Sequence, residues 1–139
     1  MNVVRRLVIC AGLVVGPILA PAAVASAAPA VPFQLEPAPF GNPDGSFDAP
    51  AVRCVAVVGE PPGTVTITGG KDGGWGCLLS SEVRWLNLST GASGAARMSD
   101  GLHGVPAAAT VQTGSGQIAL VVLPVAGPIT PGVATFYVP

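Results

Sequence analysis

Histidine occurs once in this chain of 139 residues, at His103, and cysteine three times, at Cys10, Cys54 and Cys77. Each scarcity removes a class of chemistry. A Ser-His-Asp relay would have to run through His103, within SDGLHGVP, and no GxSxG accompanies it, because GASGA at Gly91 sets its second glycine one place early. A lone imidazole flanked by glycine reads as a solvated side chain, so no catalytic residue is assigned. Two cysteines without CxxC spacing and one distant histidine cannot supply the four ligands of structural zinc, so neither a metal nor a cofactor is expected. Charged residues make up only 9% of the chain, with no basic patch and no Lys/Arg run interleaved with aromatics. Nucleic acid and anionic membrane surfaces are therefore poor partners. Helical spacing is also lacking beyond the N-terminal segment, where no window of about eleven residues carries a 3.6-residue period.

The N-terminus holds what the rest lacks, a long apolar run. Arg5 and Arg6 precede LVICAGLVVGPILA, and small residues follow around ASA at Ala25 to Ala27. This is the three-part pattern of a secretory signal peptide, residues 1–27, cleaved near Ala27. Pro17 and Pro21 interrupt the run before it reaches spanning length, which argues against an uncleaved anchor and leaves no transmembrane segment in the mature chain. Cys10 departs with the signal. The remaining 112 residues, 28–139, suffice for one domain with a modest core. They carry four cationic and seven acidic side chains, a formal charge of −3.

Cys54 and Cys77 then stand alone in a protein expected outside the reducing cytosol. One disulfide between them is the economical reading, with two free thiols or two metal ligands as the alternatives. Closing that loop would contribute roughly 3 kcal/mol in the chain-entropy model.

Residues 28–50 carry a proline every few positions and no sustained period. They form an extended arm, expected along a sheet edge or mobile, and not a central strand. From residue 51 the text changes to short β-forming runs between glycine-rich turns. TVTIT sets Thr64, Thr66 and Thr68 on one face and Val65 and Ile67 on the other, as a half-buried strand requires. AVRCVAVV, SSEVRWLNLST, AARMS, AATVQT, QIALVVLPV and VATFYVP supply the other candidates, about seven in all. QIALVVLPV is apolar on both faces, as an interior strand can be. Trp85 falls mid-strand and is assigned to the core. The fold class is all-β, with residues 51–139 an antiparallel β-sandwich of immunoglobulin-like architecture and a small β-barrel as the alternative.

Two motifs invite a ligand and fail on register. GGKDGGWGC, Gly69 to Cys77, offers glycine amides and a lysine, but the P-loop register puts Val65 at its first glycine and Asp72 at its hydroxyl. We expect the tip of a β-hairpin there, its strands joined near their outer ends by Cys54–Cys77. NPDGSFD, set on the EF-hand register by Gly45, puts Phe40 and Ala51 at the two key ligand positions and reads as a turn. Asn87-Leu88-Ser89 matches a glycosylation sequon. Trp75 in the glycine loop is the aromatic free to cap the sandwich or meet a ligand, with Lys71 and Asp72 beside it as possible contacts.

The stretches DGLHGVPAAATVQTGSGQIALVV and ITPGVATFYVP resemble small secreted actinobacterial proteins of uncharacterised function, and the Ala, Gly, Pro and Val bias suits such a genome. That resemblance implies secretion and no particular activity. Size, acidity and β-rich character also resemble the chromoprotein carriers, whose two disulfides this chain cannot match. The expected function is a secreted or cell-envelope β-sandwich without catalytic activity, binding or structural, with envelope components or another protein as partner. A small-ligand carrier, or a protease inhibitor presenting a disulfide-braced loop with Lys71 at its specificity position, are the alternatives.

Overall fold

The computed structural model describes residues 28–59, 61–70 and 76–139. The signal-peptide expectation for 1–27 lies outside them, as do Lys71, Asp72 and Trp75.

Among the described residues ten strands form in chain order: β1 (Ala30–Pro32), β2 (Ala38–Pro39), β3 (Cys54–Val58), β4 (Thr64–Gly69), β5 (Glu82–Asn87), β6 (Ser93–Arg97), β7 (Ala109–Gln112), β8 (Gly116–Leu123), β9 (Ile129–Thr130) and β10 (Gly132–Val138). All seven strands read from alternation are present. The additional β1, β2 and β9 are two or three residues long. Pairing is antiparallel throughout, in one sheet of order β1-β3-β4-β7, a second of order β10-β8-β5-β6, and the small pair β2-β9. The two large sheets stay separate, so the protein is a sandwich and not a closed barrel.

Alternation places the core between them. Cys54, Ala56, Val58, Val65, Ile67, Ala109 and Val111 face inward from the first sheet, and Val83, Ile118, Leu120, Val122, Ala134, Phe136 and Val138 from the second. Fully burying a side chain such as Ile67 or Ile118 stabilises by roughly 1.5 to 3 kcal/mol. Thr66 and Thr68 of β4 point outward, where the Thr66 and Thr110 hydroxyls pair at 2.9 Å across strands, while Thr64 at the start of the strand is buried with its hydroxyl donating to the Pro61 carbonyl. β8 lies between β10 and β5, the interior position that its two apolar faces suggested.

The arm lies along edges. β1 pairs with the edge of β3, and the Gln34 and Leu35 N–H groups both donate to the Val133 carbonyl, covering part of the outer edge of β10. Phe33 between them enters the core.

The structure corrects the hairpin expected at GGKDGGWGC. β4 is paired on both sides, by β3 and β7, while β5 belongs to the opposite sheet. The segment after Gly69 is therefore a crossover between sheets. β4 and β5 each carry an apolar face, Val65 and Ile67 on one and Val83 on the other, and these are buried by being set opposite each other. Trp85 is also less enclosed than expected. It is half-buried at the margin of the core, its ring against Gly94 of edge strand β6, where a Cβ would sit 2.8 Å from Cζ2.

Candidate functional site

The glycine-rich crossover is held at its base by a single residue of the neighbouring strand. The Gly70 N–H donates to the Arg53 carbonyl at 2.7 Å, and the Arg53 N–H donates to the Gly76 carbonyl at 3.0 Å. One residue later Cys54 is bonded to Cys77, with a Cα–Cα distance of 4.7 Å, so the expected disulfide is present. The two arms of the base touch: a Cβ on Gly69 would lie 2.6 Å from the Gly76 Cα, which only glycine at position 69 avoids. Gly76 has φ 91, a second reason for glycine in this stretch.

At the same end of the sandwich lies the other segment that the sequence singled out, SDGLHGVP. It forms a short 3-10 turn, Leu102–Gly104, with His103 exposed at φ 60. A crevice of about 440 Å³ separates the two segments, lined by Gly69, Gly70, Gly76, Leu79, Gly104 and Val105 among others. Two loops distant in sequence thus share one rim. Among the described residues none hydrogen-bonds the His103 imidazole, and no cluster of three or more His, Cys, Asp or Glu side chains could hold a metal.

Behind the loop base, Arg53 also ties down the arm. Its Nη1 donates to the Pro43 carbonyl at 2.8 Å, and Nη2 lies 3.8 Å from the Asp44 carboxylate. The NPDGSFD segment is the turn that its letters suggested. Asn42 Oδ1 accepts from the Asp44 N–H and Nδ2 donates to the Gly45 carbonyl, so that side chain is committed to its own turn.

Glu36 carries no sequence motif, yet from within the arm it reaches β3, with Oε2 accepting from the Cys54 N–H at 2.8 Å. Burial pushes its carboxyl up from the ordinary 4.5, against the opposing pulls of the Cys54 N–H and the Arg53 charge. An acid whose folded pKa is raised binds protons more readily when folded. Its stabilising contribution is present below the unfolded pKa and is lost as pH rises through the folded pKa. Glu36→Gln keeps an acceptor for Cys54 and removes the titration. Urea unfolding at about pH 4 and about pH 7 should show a smaller fall in stability with rising pH in the variant than in the wild type. Equal slopes would dissociate Glu36 from the pH dependence.

Asn87, the sequon residue, is 0% exposed and all four of its hydrogen-bonding positions are occupied. It is closed to a glycan in the folded protein. The disulfide end and the Asn87 end lie at opposite poles of the first sheet's register, where Cys54 pairs with Gly69 and Val58 with Val65.

Among the described residues no helix is long and apolar enough to cross a membrane. No family model, no curated protein and no solved structure matches the chain.

Proposed function

We propose that the chain is a secreted or cell-envelope β-sandwich protein that acts by binding and performs no catalysis, using the crossover loop between Gly70 and Gly76 as its contact element. The observation that carries this reading is the loop base, held by two backbone hydrogen bonds to Arg53 and by Cys54–Cys77. Fixing both ends of a short segment before a partner arrives reduces the ordering cost of association. A disulfide accords with an oxidising compartment. Trp75, Lys71 and Asp72 are the side chains that this loop supplies for contact.

The braced base favours one second reading, a protease inhibitor that offers Lys71 to a trypsin-like specificity pocket. Both readings are separable on the purified chain beginning at residue 28. Titration with pigments, antibiotics and envelope extracts should change tryptophan emission, and Trp75→Phe should abolish that change while Trp85→Phe preserves it. Inhibition of trypsin that Lys71→Ala removes would select the inhibitor. Turnover on a broad hydrolase panel that His103→Ala abolishes would overturn both.

A further inference from the structure

The outward face of the second sheet differs from that of the first. On the first sheet, Val55 and Val57 of β3 share the outward face with Thr66 and Thr68 of β4 and the exposed Thr110 and Gln112 of β7, so hydroxyls and an amide interrupt its apolar surface. On the second, register aligns Val133 with Val121 and Val121 with Arg84, and in the next row Ala119 with Leu86. Residues of even number on β8 enter the core, so Ala119 and Val121 point away from it. Ala119 is the small member of this group. It floors an apolar trough of about 270 Å³ walled by Val121, Leu86 and Val133, with Arg84 at its rim. From β5 to β10 the trough crosses two interstrand spacings, about 10 Å, the reach of a medium-length alkyl chain.

Charge marks one end of it. Arg84 and Arg97 flank the single carboxylate of Glu82, Arg84 through an Nε–Oε1 contact of 2.5 Å and Arg97 as the cross-strand partner. Two guanidiniums against one carboxylate leave this face cationic, although residues 28–139 carry −3 overall. A second copy of the chain suits the face poorly. A two-fold pair meeting through this face would bring the Arg84 and Arg97 guanidiniums of both copies together against one Glu82 carboxylate from each.

We propose that this trough binds a medium-chain fatty-acid anion, the alkyl chain over Ala119 and the carboxylate at Arg84. The site is separate from the crossover loop, and neither reading depends on the other. Calorimetric titration of the purified protein with octanoate, decanoate and dodecanoate, each below its micelle concentration, tests it. Each added methylene should tighten Kd by roughly two- to fourfold until the trough is full. Decanol should bind about two- to fivefold more weakly than decanoate, the scale of an exposed ion pair, and decyltrimethylammonium more weakly still. Arg84→Gln should erase the preference of carboxylate over alcohol and leave the alcohol's affinity intact. Ala119→Leu, which fills the trough from the solvent side, should abolish binding of all three acids. Arg84 is exposed, so its variant remains a test if Ala119→Leu does not fold. Absence of binding, indifference to headgroup charge, or undiminished binding by a folded Ala119→Leu protein would overturn the proposal. So would a dimer in sedimentation that Val121→Glu dissociates, since the face would then be a self-interface.

Discussion

Replacing Cys54 and Cys77 together by alanine should lower the stability of the folded protein by about 3 kcal/mol, out of a total of about 5 to 15 kcal/mol for a domain of this kind. The bond spans 23 positions and encloses the whole β3–β4 hairpin together with the crossover to the second sheet. Without it the unfolded chain recovers the conformations that the closed loop forbids. The denaturant slope m should therefore rise while the midpoint falls, because a longer free chain exposes more surface on unfolding. Both cysteines are buried, at 0% and 6% exposure, so a single substitution would leave an unpaired thiol in the core and confuse the measurement. Thiol reductant on the wild type, with intact mass confirming the two added hydrogens, should reproduce most of the effect. Hydrogen exchange would then separate global from local consequences. The Gly70 and Arg53 amides should lose protection beyond the global change, since their bonds across the loop base depend on the neighbouring link. A loss below about 1 kcal/mol with unchanged m would mean that the reduced chain retains the loop closure by other means.

What was legible in the sequence divides along the range of the interaction. Strands are local objects, and a two-residue alternation such as Thr64 to Thr68 announces both the strand and its inner face. The cysteine pair was legible for another reason, since only two cysteines lie beyond residue 27. Sheet membership was not legible. The glycines of GGKDGGWGC serve a hairpin tip and a crossover equally well, and the choice rests on β4 already having β3 and β7 as neighbours. Trp85 shows the same limit: alternation gave its face, but its position beside the edge strand set how much of the ring is covered. Glu36 went unnoticed because a carboxylate in a proline-rich arm looks solvated, and only the folding of the arm over β3 puts it on the Cys54 amide. The outer face of the second sheet escaped notice because its apolar residues come from three strands, each unremarkable alone.

Asn87 is the strongest case of a residue whose letters do not announce its role, and its substitution should have the second large effect. Its Nδ2 donates to the Thr113 carbonyl at 3.0 Å and to the Ser115 carbonyl at 2.9 Å, in the turn that carries the chain from β7 to β8. Its Oδ1 accepts from the Ser89 and Thr90 amides at 2.9 and 3.1 Å, in the turn between β5 and β6. One side chain thereby links its own turn to another that lies 26 to 28 residues further along the chain, at the pole opposite the disulfide. Asn87→Ala strips two carbonyls and two amides of their partners and leaves a void where water has little access. A loss of about 3 to 5 kcal/mol is expected, the range for breaking a buried polar network. Asn87→Asp discriminates the cause, because it preserves volume and the two acceptor contacts while turning a carboxylate oxygen toward two carbonyls. At neutral pH it should be at least as damaging as alanine. Protonation restores one donor, so the aspartate's folded pKa should be raised above its unfolded value. The variant's stability would then be best below the unfolded pKa and fall as pH rises through the folded one. Urea midpoints of the wild type and both variants, taken at about pH 4 and about pH 7, distinguish the outcomes. If Asn87→Asp is pH-independent relative to wild type, the carboxamide donors are not what holds the two turns together. If it recovers in acid while Asn87→Ala does not, those donors, and not the filling of space, fasten this end of the sandwich.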